Sequence, residues 1–201
     1  NSIGMFSLYA VLKKDKLPYF NYNHHYFKHI NTWTTNYKAK DWPEHYMLYT
    51  PANSKSDKWA DALTIITYMK YSEVKKWENT YIEQRGEEYI DFKNRKAEIL
   101  LDCAEKKKPD IRSYIDCYYT STPLTYRDYT GTPEGSAYGI IKKFDEPTST
   151  IIKPKTRIKN LYFTGQNINM HGILGVSIGS VLTCAEILGY DYLFNKIKNI
   201  Y

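Results

Sequence analysis

Four glycines and a histidine mark the stretch of this 201-residue sequence best suited to chemistry: Gly165, Gly172, Gly175 and Gly179, with His171 just before the second of them. A short apolar run, 161–164, precedes Gly165, and an apolar run of helical length, 173–188, follows Gly172, so the order reads strand, loop, helix. A helix entered through glycines presents unpaired backbone N–H groups and a positive dipole end. It can therefore hold a phosphate or another electron-rich group without a charged side chain. Glycine at 172 and 175 removes the Cβ that would keep a ligand off the backbone. His171 is a candidate proton donor, imidazole being the side chain suited to proton transfer at physiological pH, or it caps or packs beside the glycines.

The spacing is G-x6-G-x2-G-x3-G, not the G-x-G-x-x-G of a complete dinucleotide fingerprint. A second reading therefore stands beside the first: Gly175, Gly179 and Thr183 form one row that lets the helix lie close to a neighbour. On physics alone that packing role is the stronger. A membrane span is not expected, because 173–188 is 16 residues long and interrupted by Ser177, Ser180, Thr183 and Glu186, against the roughly 20 apolar residues a span needs.

A second group with chemical potential is Tyr126, Arg127 and Asp128, set among Pro123, Gly131, Pro133, Gly135 and Gly139, with Tyr138 close behind. Arg127 and Tyr138 could face a ligand, or Arg127 and Asp128 could simply pair within a loop. His24, His25 and His29 lack a partner cysteine or carboxylate motif and read as surface or pocket-lining residues in preference to metal ligands.

These groups need elements to position them. Residues 5–12, 46–50 and 62–71 read as strands, the last two joined by a polar segment holding Ser54 and Lys58, and 19–30 as an extended element or irregular loop. The imperfect alternation over 64–69 fits a strand buried on both faces. From Ser72, read as an N-cap, the pattern turns helical, with a longer helix over 82–107 that places Tyr89, Phe92, Ile99, Leu100 and Cys103 near one face, Glu and Lys on the other, and ends before Pro109. Residues 111–120 return to a strand. The fold class is α+β, a largely antiparallel sheet with flanking helices.

The segment LYFTGQNINMHGILGVSIGSVLTCAEILG resembles the C-terminal flavin motif of the phytoene desaturase, carotenoid isomerase and retinol saturase family, FAD-dependent oxidoreductases acting on isoprenoid polyenes. A second block, YTSTPLTYRDYTGTPEGSAYG, is similar to the sequence that precedes that motif in retinol saturase-like members. The resemblance implies that 1–150 is a portion of a substrate-binding domain and 151–201 the last strand and helix of a split, Rossmann-like FAD-binding domain, its N-terminal dinucleotide-binding half absent from this chain. By the same resemblance Gly165 and Gln166 would lie beside the ribityl and pyrophosphate region, the loop from Asn167 to His171 would face the isoalloxazine edge, and Gly172, Ile173, Leu174, Gly175 and Val176 would run along the flavin. Many relatives carry an acidic residue where this chain has Gln166. The expected catalytic candidates are His171, Arg127 and Tyr138, the expected substrate an apolar polyene or lipid-like molecule, and the expected electron donor NAD(P)H. Double-bond reduction is preferred over desaturation or isomerisation. A cofactor held from two sides loses most of its contacts when one side is missing, so weak or absent FAD binding and no turnover are expected of these 201 residues alone.

Composition sets the remaining bounds. The chain is 42% hydrophobic, enough for a core, with 28 Lys and Arg against 22 Asp and Glu and a net charge of +6. The basic residues are dispersed or sit in short runs such as 106–108, which usually mark solvated helix ends. With 21 tyrosines the charge raises a second function, a basic binding module for lipid, glycan or single-stranded nucleic acid. Aromatics on alternating strands instead favour packing or pocket lining, so no nucleic-acid partner is expected. Cys103, Cys117 and Cys184 are too few and too far apart for a disulfide framework, which points to a reducing, cytoplasmic setting. No secretory leader is recognised, and an apolar substrate is compatible with peripheral membrane contact.

Overall fold

The computed structural model describes the chain except for residues 31, 33–35, 54–57 and 200–201; the polar segment read at Ser54 falls in that part. Two compact units emerge, Ile3–Ala137 and Tyr138–Tyr201 with Asn1–Ser2.

The first unit is built on a five-stranded antiparallel sheet. Its strands are β1 (Gly4–Leu12), β2 (His24–Phe27), β3 (His45–Tyr49), β4 (Ala62–Met69) and β5 (Ile115–Ser121), in the order β2-β3-β4-β1-β5. β1 is an interior strand: Leu8 pairs with Ile65 on one side and with Thr120 on the other. Alternation along β1 sends Phe6, Leu8, Ala10 and Leu12 to one face, where they are buried. Leu48, Leu63, Ile65 and Met69 join them from β3 and β4, but the expected two-sided burial of β4 is only partly realised: on its other face Thr64 is buried while Ala62, Ile66 and Tyr68 are half-buried. The core is closed by α1 (Glu87–Glu105), whose Ala97, Leu100, Leu101 and Ala104 are buried. Tyr46 of β3 donates to the Cys103 carbonyl of α1 at 2.9 Å, and the Trp42 indole meets Phe6 edge-on at 5.5 Å.

Several local expectations need correcting. α1 starts at Glu87, not at 82, because Gly86 has φ 78° and Glu83 φ 62°, both outside the helical region. The stretch from Ser72 forms two 3-10 turns, Tyr71–Glu73 and Lys75–Trp77, and Ser72 caps nothing. Buried Val74 and Trp77 anchor these turns, and the Glu73 carboxylate is drawn to Tyr37 and to Lys96. The turn-rich block after β5 opens with a helix, α2 (Pro123–Thr130). Thr122 accepts from the Leu124 N–H, Thr125 accepts from the Thr122 N–H, and Pro123 supplies the first helical position.

The second unit contains α3 (Gly172–Leu188) and α4 (Tyr190–Lys198). The strand expected at 161–164 is reduced to one isolated bridge, Tyr162 with Lys155, supported by the Phe163 N–H on the Pro154 carbonyl at 2.7 Å. A strand needs a neighbouring strand, and among the described residues this unit offers none. No helix among the described residues is long and apolar enough to cross a membrane.

Candidate functional site

The loop between 164 and α3 is held in place by three devices. The Lys142 ammonium donates to the carbonyls of Thr150 at 2.7 Å and Ile168 at 2.9 Å, and more weakly to that of Asn167. Burial pushes the Lys142 ammonium below its ordinary pKa. Asn167 is wedged against Gly139, where a Cβ would overlap its side-chain oxygen at 1.6 Å, so position 139 is glycine for reasons of space as well as its φ of 73°. Buried Ile168 anchors the middle, its N–H on the Gly165 carbonyl.

The glycines divide into two kinds. Gly165 and Gly172 have φ of 102° and 77°, and nothing lies within 4 Å of where a Cβ would project, so the backbone is open there. Gly175 is different: a Cβ would fall 2.6 Å from the Met170 carbonyl carbon, so its small size serves packing. Gly179 and Thr183 continue that buried row, and the Thr183 hydroxyl reaches the Phe163 carbonyl at 3.2 Å. Gly175 therefore fits the packing reading, while Gly165 and Gly172 leave the backbone accessible. Gln166 is partly buried, whereas Ile173, at 91% exposure, Leu174 and Val176 are exposed at the start of α3.

His171 occupies the N-cap of α3 without capping it, leaving the first-turn amides without a side-chain acceptor. Its ring lies against Tyr138, centroids 4.5 Å apart. Two of the three candidate catalytic groups thus meet. A residue that the sequence did not single out, Asn169, has a buried side-chain oxygen with no hydrogen-bond partner in this loop. An open backbone at Gly165 and Gly172, first-turn amides without a side-chain cap and the orphaned Asn169 oxygen lie on this one loop and the helix it enters.

Arg127, the third candidate, belongs to the other unit and sits on α2, not in a loop. Its guanidinium grips Asp128 at 2.8 Å and donates to the Glu78 carbonyl at 2.8 Å and the Tyr71 hydroxyl at 3.2 Å. Asp128 also receives Arg85, a buried arginine that binds the Thr80 carbonyl and hydroxyl, each at 2.7 Å. The pairing reading of Arg127 and Asp128 is the one the coordinates display, enlarged into a clamp between α2 and residues 71–85.

On the sheet face away from α1, residues Tyr9, Val11 and Tyr119 are exposed and Met47, Tyr49, Ile66 and Tyr68 half-buried, giving an aromatic and aliphatic surface. One end carries a polar knot, where the Tyr126 hydroxyl of α2 meets the buried Ser7 hydroxyl at 2.9 Å. Burial pushes Tyr126 up to about 12, assisted by neighbouring Tyr9. Burial also acts on Tyr9, but hydrogen bonding to Ser121, Tyr126 and Ser7 outweighs it and leaves that phenol below its ordinary value. Among the histidines, His25 and His45 share a hydrogen bond at 3.2 Å and His29 approaches Glu44 at 3.4 Å. No group of three or more His, Cys, Asp or Glu side chains converges among the described residues.

Comparison with known proteins gives relatives of one description. An all-trans-retinol 13,14-reductase of Danio rerio is 30% identical over 155 residues, covering 75% of this chain and 24% of that protein. The Homo sapiens protein of the same name is 24% identical over 216 aligned positions, covering 98% of this chain and 35% of its own length. A second Danio rerio protein, 28% identical over 113 residues, is named an inactive all-trans-retinol 13,14-reductase. No protein-family model matches the chain, and no solved structure matches it. The chain spans about a quarter to a third of the length of the first two relatives.

Proposed function

The chain is homologous to the retinol saturase-like proteins, oxidoreductases by name, and on that premise we propose that it forms part of an FAD-dependent enzyme that reduces a carbon–carbon double bond in a retinoid- or carotenoid-like substrate. The observation that carries this reading is the glycine-entered α3: its first turn is open and uncapped and directly follows a loop with an orphaned acceptor. Bound there, FAD would supply the hydride chemistry, with NAD(P)H the proposed source of electrons.

The residues of this chain would do the rest. The Gly165 and Gly172 backbone would admit the dinucleotide closely, with Gln166 and Asn169 offering amide donors and acceptors to its hydroxyls. Residues 173–176 would run alongside, Ile173 and Leu174 excluding water. The apolar sheet face of Tyr9, Val11, Met47 and Ile66 suits an extended polyene. Reduction of a double bond also needs a proton. His171, its ring against that of Tyr138 beside the glycine turn, is the group we assign to carry it. Arg127 is proposed instead as a positioning residue, since its donors already serve Asp128, Tyr71 and Glu78.

The test begins with the 201 residues alone. Titration with FAD, followed by flavin fluorescence, should show weak or no binding, because one half of the cradle is missing. Stoichiometric retention would refute the divided cradle. The full-length protein should retain flavin and convert all-trans-retinol to a product with one double bond fewer. Retained flavin without that product would reject the reductase assignment and leave the flavin site intact. The existence of a relative named inactive gives that second outcome a concrete meaning.

A further inference from the structure

One cleft in the first unit is not used by the proposed redox site. It has a volume of about 360 Å3 and opens between the N-terminal half of α1, α2 and the edge of β5. Its walls are Ile90 of α1, Tyr119 of β5 and Tyr129 of α2, all more than half exposed, with Ile82 at the mouth. At its base the Tyr89 ring is approached by two cations, the Arg85 guanidinium at 5.4 Å and the Lys93 ammonium at 5.6 Å from the ring centroid.

The two cations are not equivalent. Arg85 is fully employed by Asp128, Trp77 and Thr80. Lys93 is half-buried, yet among the described residues no carboxylate lies within 4 Å of its ammonium and no acceptor takes its N–H groups. Burial and the charge of Arg85 both push Lys93 below its ordinary pKa. Glu83, the one acid in the lining, is exposed and makes no ion pair with it. A partly desolvated ammonium beside a second cation is unfavourable unless an anion joins it.

We infer that this cleft binds a small amphipathic organic anion, its carboxylate on the Lys93 ammonium and its apolar body between Ile90, Tyr119 and Tyr129. Charge selects the head group and the aromatic walls select the tail. The volume falls at the lower end of the range for small-molecule sites, roughly 300–1,000 Å3. The assignment does not depend on the flavin reading.

Dodecanoate and dodecanol are the probes, used with the 201-residue chain below the micellar concentration of the acid. Dodecanoate should protect Lys93 from acetylation, read by peptide mass spectrometry, whereas dodecanol and acetate should not. By calorimetry Lys93→Gln should weaken dodecanoate by about tenfold, as expected for loss of a charge-assisted contact, and leave dodecanol unchanged. Equal affinity of the unmodified chain for acid and alcohol would overturn the inference, as would dodecanoate binding that leaves Lys93 fully reactive. Protection of Lys93 in the full-length protein without added carboxylate would also overturn it, because a native segment would then occupy the cleft.

Discussion

The two units solve the same problem to different degrees. In Ile3–Ala137 the sheet and α1 enclose Phe6, Leu8, Leu48, Leu63, Ile65 and Leu100, each with no exposed surface. In Tyr138–Tyr201 the buried apolar residues are Ile168 and Ala185 among those described, while α3 leaves Ile173, Leu174, Ile187 and Leu188 more than half exposed. The first unit therefore draws its stability from burial. The second rests on local ties: Lys142 on three carbonyls, Asn167 against Gly139, Thr183 on Phe163.

That contrast can be broken most severely at the charged clamp. Asp128→Ala strands the buried Arg85 and should cost about 3–5 kcal/mol in chemical denaturation of the first unit. If the loss is below 1 kcal/mol, the clamp is only a surface pair. Next comes the core itself: Leu100→Ala should cost about 2–5 kcal/mol, whereas Ile173→Ala should stay within about 0.5 kcal/mol. Equal effects would mean that α3 is covered in solution and the contrast is false.

Within the second unit, the two kinds of glycine should respond differently. Gly175→Ala forces a Cβ into the Met170 backbone and should speed amide exchange throughout 165–185, at a cost of about 1–3 kcal/mol. Gly172→Ala meets open space and pays only the left-handed backbone penalty, about 1–2 kcal/mol. In the full-length protein it should also weaken FAD retention. The smallest effect is acid sensitivity of the first unit. Burial and the neighbouring His25 lower His45 from 6.5 to about 4. The unfolded chain takes up that proton first as pH falls, so the neutral imidazole favours folding above 6.5 and the advantage drains away between 6.5 and about 4. His45→Gln should flatten the pH dependence of the melting temperature across that window.

How far the sequence revealed these features depended on how local their causes are. β1, β3, β4, α1 and α3 follow from apolar periodicity, which needs only near neighbours. α2 was hidden among prolines and glycines, although Thr122, Pro123 and Thr125 spelled an N-cap, a first helical residue and a capping box. The 161–164 strand failed because strand formation is decided by a partner, and apolar residues cannot supply one. At the site, the open glycines and His171 were legible. Nothing in the sequence separates Lys142 from its neighbour Lys143, and the Arg85 tie to Asp128 spans 43 residues, beyond any local pattern. Asn169 gave no signal, since its significance lies in a hydrogen bond it does not make.

The interior place of β1, with a partner on each side, also has a temporal consequence. Its residues emerge from the ribosome well ahead of β4, and the partner on its other side follows only after α1 has been made. Throughout that delay the segment MFSLYAVL carries two raw edges, low charge and no proline, the features of an adhesive peptide. Translation speed between residues 13 and 121, and chaperone access to that first strand, should therefore govern the yield of this protein more than the depth of its finished core.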